Sequence, residues 1–463
     1  MEATKRLGAR SITLFQLGRT SGRGSTLRRA VAASTCMDSL QGHELAKWRS
    51  GFTPWEQGGW IHMNAAGASP MAEEVHAAML AHFDLERQKG GYEAAKSCTD
   101  VRAVAADLLG CAAEEIALTE SAQSAWARAF YSLQFRDGDR IFCWTSEYAG
   151  NAVAFLQAAR QNQVKLEILP MRRDGLVDVD ALRNALASMP KTSRALVALT
   201  HIQTNSSIVQ PAELVGSIAR EHGAVFLLDA CQSIGQVPVN VRALNCDFAC
   251  GTGRKWLRGP RGTGVLYARA SALPQSAASA FEFIGEPPMI DHVSVQWTSR
   301  HTYRLRSDAG RYEMWEFSPA LREGLGAALK VCLDIGPQRI SDRANYLANR
   351  LRTQLAAING LHLCDAPEPF ERTTLHGVSQ CAIVCFEMFS SHGIAADFIK
   401  EALAGHRIAV SVSPPSHTFN DGDWNRPSTV RLSPSYYNEE TEIEIVVQKI
   451  REIIEGQIGR RPS

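Results

Sequence analysis

Two residues in the middle of the chain have the types and setting needed for covalent chemistry on a carbonyl compound. Asp229 follows the wholly apolar run Ala224 to Leu228, and an acid at the carboxyl end of a buried parallel strand stands where such sheets bind ligands. Lys255 lies in Gly251-Thr252-Gly253-Arg254-Lys255-Trp256, which continues as Arg258-Gly259-Pro260-Arg261-Gly262-Thr263-Gly264. A lysine amine in a glycine-rich turn is suited to Schiff-base formation. A third stretch, Glu120-Ser121-Ala122-Gln123-Ser124-Ala125-Trp126, joins a strand to a helix through small residues, so backbone N–H groups at the helix start can face an anion. Each feature has a plainer reading on its own: a strand-end Asp can cap a helix, and a lysine in a glycine turn can simply be solvated. Arg258 and Arg261 could read a second acidic group on a substrate, but bracing the dimer or the turn is the favoured reading.

The elements around these residues alternate. Pro70 to Gln88 and Lys96 to Leu109 read as helices, then strands Arg140 to Trp144, Lys165 to Leu169 and Ala195 to Thr200 are separated by helices Asn151 to Gln161 and Val179 to Ala187. In the helix Pro211 to His222, Leu214, Val215, Ile218 and Ala219 share one face, with Pro at the start and Gly223 after the end. The strand Ala224 to Leu228, apolar on both faces, belongs in the middle of a covered parallel sheet. This alternation predicts an α/β doubly wound core. After Pro319 the pattern changes to helices Ala320 to Leu333 and Asp342 to Ile358, strand Gln380 to Phe386, helix Ala395 to Leu403, strand Val430 to Leu432 and helix Glu439 to Ile454. That is a smaller α+β domain, and the Pro/Ser-rich run Ser411 to His417 reads as a loop near the junction. The expected division is a segment 1–40 outside the fold, a large domain 41–319 and a small domain 320–463.

The stretch Leu228-Asp229-Ala230-Cys231-Gln232-Ser233-Ile234-Gly235-Gln236, with Gly253-Arg254-Lys255 and the Gly-Pro-Arg-Gly-Thr-Gly run, resembles the class V aminotransferase superfamily. These are fold-type I pyridoxal-phosphate enzymes that include cysteine desulfurases, selenocysteine lyases and isopenicillin N epimerase. The resemblance runs from about Trp60 to Ile454 and implies a mainly parallel, seven-stranded type of sheet in the large domain. It implies that Lys255 forms the Schiff base with pyridoxal 5′-phosphate and moves the substrate's α-proton. It pairs Asp229 with the pyridine nitrogen and sets Gln232 and Thr204 near the phenolic oxygen, Thr204 standing where relatives often carry Asn. Ala122, Gln123, Thr252 and Arg254 would hold the phosphate, with Arg254 replacing a common His. Tyr148 falls where desulfurases place a ring-stacking His; a tyrosine stacks as well but does not carry protons in the same way near neutrality. Arg431, in Thr429-Val430-Arg431-Leu432-Ser433, matches the clamp for the α-carboxylate, and Asn64 matches a segment lining the site. Ser318 falls where relatives reach the partner subunit's phosphate, which implies a homodimer with shared sites.

Desulfurases of this superfamily carry a catalytic cysteine on a loop shortly before that Arg. Here the last cysteine is Cys385, and the loop reads Ser411-Val412-Ser413-Pro414-Pro415-Ser416-His417. The leading expectation is a lyase or epimerase acting on an amino acid or amino-acid conjugate, the motif preferring neither, with a lean to elimination such as C–S cleavage. Transamination is the second enzyme reading, and a non-catalytic binding protein on the same fold is the alternative of a different class.

The 463 residues, 45% of them apolar, suffice for a large core, and the formal net charge of +1 gives no footprint for nucleic acid or an anionic membrane. No stretch approaches the ~18 apolar residues of a membrane span. Eleven cysteines are scattered through apolar segments, the usage of a reducing compartment. The pairs Cys246/Cys250 and Cys381/Cys385 lack further ligands at zinc spacing, so no metal is expected. Residues 1–36 are rich in Arg, Ser and Thr with the single acid Glu2, the composition of an organelle transit peptide, with a disordered tail or a start at Met37 as alternatives. The location is thus expected to be cytoplasmic or organellar.

Overall fold

After a short strand β1 (Ile61–His62), the chain lays down a sheet of seven: β2 (Ile116–Thr119), β3 (Arg140–Trp144), β4 (Lys165–Leu169), β5 (Ala195–Thr200), β6 (Val225–Asp229), β7 (Phe248–Thr252) and β8 (Gly264–Ala268). The structure, a computed structural model, describes residues 42–273, 283–365, 380–388, 393–419 and 425–458, so the expectation for 1–36 lies outside the described residues. The spatial order is β2-β8-β7-β6-β5-β3-β4. β3 to β7 run parallel, and β8 is antiparallel to both its neighbours. Every residue of β5, β6 and β7 is buried, because both faces are covered. Along β5, Val197 and Leu199 enter one core while Leu196 and Ala198 enter the other, as the two-residue period of a strand requires. Helices Ala122–Tyr131 and Ala149–Asn162 cover the second face, and Val179–Ala187 and Ala212–Glu221 the first. Each large apolar side chain so buried stabilises the fold by about 1.5–3 kcal/mol.

The chain continues through the hairpin β9 (Val295–Ser299) and β10 (Thr302–Leu305) to helices Pro319–Ile335 and Pro337–Leu355. Gly336, at φ 93°, ends the first helix and turns the chain into the second, which opens on Pro337 rather than at Asp342 as the sequence suggested. β11 (Leu361–Leu363) and β12 (Val384–Met388) follow, then β13 (Ile408–Ala409), which pairs in parallel with β1, and β14 (Ser411–Ser413) and β15 (Thr429–Leu432). β11, β12, β15 and β14 form, in that order, an antiparallel sheet. The expected loop Ser411 to His417 thus begins as an edge strand; the prolines that follow limit it to three residues. The helix expected from Lys96 begins at Val101, because Asp100 caps it by accepting from the Ala103 N–H at 3.4 Å. Gln380 lies outside β12, bridged instead to Ile208. Among the described residues no helix is long and apolar enough to cross a membrane. Cys246, Cys250, Cys381 and Cys385 are buried.

Candidate active site

The carboxyl ends of β5, β6 and β7 open onto a cavity of about 260 Å³, closed on its other side by residues of β14, β15 and the turn after β14. Of the twelve expected site residues, Lys255, Ala122, Gln123, Tyr148, Thr204, Asp229, Gln232, Thr252, Arg254 and Arg431 line it; Asn64 and Ser318 do not.

Asp229, the last residue of β6, is 6% exposed. Its Oδ1 accepts from the Cys231 N–H at 2.9 Å and its Oδ2 from the Asn151 amide at 3.0 Å. The same amide donates to Glu147 Oε1 at 2.8 Å, which uses both its hydrogens and leaves Asn151 Oδ1 buried without a partner. Glu147 also accepts from Tyr148 N at 3.0 Å and from the Thr200 hydroxyl. Burial pushes its carboxyl up to about 7, aided by Asp229 and against its hydrogen bonds. Tyr148 is 42% exposed, and partial burial, then Asp229, raises its phenol above the usual range.

Lys255 sits in a turn closed by the Arg258 N–H donating to the Lys255 carbonyl at 3.1 Å. Arg258 is fully buried with a left-handed φ of 61°, a conformation that costs a non-glycine residue roughly 1 kcal/mol. Its guanidinium donates to the carbonyls of Pro70 at 3.0 Å and Trp48 at 2.9 Å and to the Tyr436 hydroxyl at 3.1 Å, and it lies over the Tyr437 ring. These contacts hold the turn, so Arg258 braces it as expected; neither Arg258 nor Arg261 reaches the cavity.

Opposite, Ser121 caps the helix Ala122–Tyr131 by accepting from Ser124 N at 3.0 Å, which leaves the first-turn N–H groups of Ala122 and Gln123 without helical acceptors. Gly264 of β8 comes so near that an added Cβ would stand 2.4 Å from Ser121 backbone, so only glycine lets this strand approach the loop. Thr252 donates its hydroxyl to Thr263 O at 3.2 Å and must rotate it to serve another acceptor. Arg254 donates to the Gly67 carbonyl.

Arg431 is 6% exposed. It donates from one terminal nitrogen to the Thr204 carbonyl at 3.0 Å and hydroxyl at 2.6 Å, and from the other to Asn64 Oδ1 at 3.3 Å. Its Nε is buried without a partner. Asn64 therefore bears on the cavity through Arg431. The Thr204 hydroxyl accepts from Arg431 and keeps its own proton to donate. Gln232 accepts from Trp256 Nε1 at 2.9 Å and donates to Ala66 O at 3.1 Å, with one amide hydrogen left. Ser318 caps the helix Pro319–Ile335.

Sequence reasoning missed Glu147, Asn151, Cys231, Ser411 and His417. The last four line the cavity; Glu147 lies behind it, in the bend before the helix Ala149–Asn162. His417 is carried by a segment clamped to the start of the helix Ala149–Asn162, where Thr418 bridges Tyr148 and Phe419 N donates to Glu147 O at 2.8 Å. Partial burial, then the Arg431 charge, lowers its imidazole below the usual 6.5.

A buried carboxylate, a lysine amine and a set of free helix-start N–H groups with an arginine, all lining one cavity, fit a phosphorylated, protonated pyridine aldehyde. The family model described as Aminotransferase class-V matches residues 65–446. The chain is 27% identical over 404 residues to a probable cysteine desulfurase of Methanothermobacter thermautotrophicus, covering 85% of this chain and 94% of that one. Its fold matches the cysteine desulfurase CsdA of Escherichia coli with a TM-score of 0.74 at 22% identity, over 90% of this chain and 99% of that one. It also matches the cystine C–S lyase C-DES, solved with its reaction product cysteine persulfide, with a TM-score of 0.71 at 19% identity, over 85% and 97% of the two chains. The family match spans the cavity from Ala66 to Arg431, and the chain belongs to the class-V aminotransferase family of pyridoxal-phosphate-dependent enzymes.

Proposed function

We propose that the protein is a C–S lyase that takes an amino acid bearing a sulfur substituent on Cβ and releases the sulfur directly, without parking it on a cysteine of its own. One observation carries this. The segment beside Arg431 holds Ser411 and His417 and no thiol, and Cys231, the cysteine lining the cavity, is pushed up to about 12 by burial, against the pull of Lys255. A sulfur acceptor must be a thiolate, and a thiol held that high supplies almost none near neutrality. The named activities of CsdA and C-DES lie on either side of this distinction, and the reading aligns the chain with the C–S lyase.

When bound, pyridoxal phosphate supplies an aldehyde for Lys255 and an electron sink for charge at the substrate's α-carbon. Asp229 would hold a proton at the ring nitrogen. The N–H groups of Ala122 and Gln123, with Thr252 and Arg254, would receive the phosphate, Gln232 and Thr204 would serve the phenolic oxygen, and Tyr148 would stack on the ring. Arg431, already oriented by Thr204 and Asn64, presents its fork to the α-carboxylate. Lys255 takes the α-proton, the Cβ–S bond breaks, and the pair of electrons leaves on sulfur. His417 and Ser411 line the side where the substrate's side chain lies.

We extend the reading to a homodimer. This rests on the resemblance at Ser318, which lies three residues after the 48% exposed Trp315. The division near residue 319 is supported by the change from the seven-stranded to the four-stranded sheet, with β1 pairing into the later part through β13.

The test is an absorbance spectrum of the purified wild type and Lys255→Ala, followed by a panel of amino acids and cysteine conjugates assayed for keto acid, sulfide and racemised product. A band fixed by borohydride in wild type and missing in Lys255→Ala, with keto acid and sulfur product together, is expected. Racemised product alone would replace lyase by epimerase. Accumulation of a pyridoxamine form with amino donor alone would replace it by aminotransferase. No chromophore even when the cofactor is supplied would leave only a binding role.

A further inference from the structure

We propose that Glu147 is a positioning residue for Asp229: as a neutral acid it fixes Asp229 through the Asn151 amide, so that a single negative charge faces the cofactor ring. This rests on the assignment of Asp229 to the ring nitrogen and adds a residue that the sequence motif does not contain.

The geometry carries the inference. Glu147 is 2% exposed and Asp229 6%, and one amide nitrogen, Asn151 Nδ2, donates to both, at 2.8 and 3.0 Å. That double donation also fixes which end of the amide is nitrogen. Two carboxyls that share one donor are close enough for like charges to repel strongly in a buried setting. The hydrogen-bond partners of the Glu147 carboxyl among the described residues are Tyr148 N, Asn151 and Thr200, none of them cationic. The other titratable groups that act on it are Asp229 at the end of β6, Cys143 on β3 and Cys250 on β7. Burial raises both thiols, so neither offers a compensating charge. Double ionisation of the pair is disfavoured, and Glu147, which does not line the cavity, is the one pushed up to about 7. When Glu147 does ionise, its negative charge lies one side chain away from Asp229 and holds the proton at the ring nitrogen more firmly. The Glu147–Asn151–Asp229 line is thus a means of setting how firmly the ring nitrogen keeps its proton.

The test uses the full chain purified with pyridoxal phosphate. Glu147→Gln keeps the shape and the acceptor for Asn151 but cannot ionise; Glu147→Ala and Asn151→Ala each break the line. The absorbance of the bound cofactor, titrated across neutrality without substrate, is expected to change in wild type with a midpoint near the Glu147 value and to stay flat there in Glu147→Gln. Cofactor retention on dialysis is expected to be unchanged in Glu147→Gln and about tenfold weaker in each of the other two, the loss of one good hydrogen bond to a charged group. Identical titrations of wild type and Glu147→Gln overturn the proposal, as does undiminished retention in both Glu147→Ala and Asn151→Ala. Wild type with no borohydride-fixable band would overturn the cofactor assignment of Asp229 as well, so the two failures are told apart.

Discussion

The two ends of the cavity are built in opposite ways. At the Asp229 end the carboxyls are tied to backbone and to neighbouring side chains, Asp229 to Cys231 N and Asn151, and Asn151 to Glu147, with Asn151 Oδ1 left as a buried atom without a partner. At the Arg431 end the walls are the edge strand β14, the turn holding His417 and an arginine whose Nε has no partner. The difference teaches where a family of this kind can change. The proposed ring-binding end is a closed network in which any substitution leaves a buried group unsatisfied. The proposed substrate end is open, and there Ser411 and His417 stand where a thiol would be needed for sulfur to be held by the protein.

The strongest way to break this comparison is Lys255→Ala, which should lower kcat by about 10⁴-fold or more, the scale of a lost acid–base group, as read by keto acid release. Activity within tenfold of wild type would place the chemistry elsewhere. Next comes Arg431→Ala. Loss of a buried, hydrogen-bonded charge partner is worth about 2–5 kcal/mol, so kcat/KM should fall at least thirtyfold, carried by KM, with the cofactor spectrum unchanged. A spectrum that moves with Arg431 would mean that the two ends are one network after all. Arg258→Ala should cost about 3 kcal/mol, since it leaves buried carbonyls unpaired; a lowered urea midpoint with an unaltered KM is the expected pair of results.

The pH dependence sharpens the same contrast. Glu147 is raised from 4.5 to about 7 in the folded chain. Its contribution is fully present below 4.5 and is lost as pH rises to about 7, a linked change of about 3 kcal/mol. Wild type should therefore lose stability relative to Glu147→Gln across that interval and run parallel to it above; parallel curves throughout would mean that Glu147 is already ionised. The smallest effect is expected at His417→Ala, about a tenfold loss in kcat/KM that differs among sulfur substrates, with cofactor retention intact.

What was legible in the sequence follows the same line. Asp229, Lys255, Ala122 and Gln123 sit in local motifs, where a strand end or a helix start dictates the placement. Their alternating frame was legible too, because β5 to β7 are apolar throughout. The Glu147–Asn151–Asp229 line was not, since it joins residues 78 apart that meet only once β3 and β6 are placed in one sheet. The same holds for the bond from Arg431 to Thr204, 227 residues apart. β14 escaped notice because three residues pairing on one side only carry too little pattern to distinguish them from a loop.

Arg258 has a consequence for how the molecule comes apart. Its guanidinium links Trp48 and Pro70 near the start of the described chain with Tyr436 close to its end, while its backbone closes the turn that carries Lys255. The lysine turn cannot open by local fraying without releasing both distant segments, so its amide protons should exchange with solvent only at the rate of global unfolding. A protease that trims either segment would then be felt first as loss of the amine's placement, long before the seven-stranded sheet itself gives way.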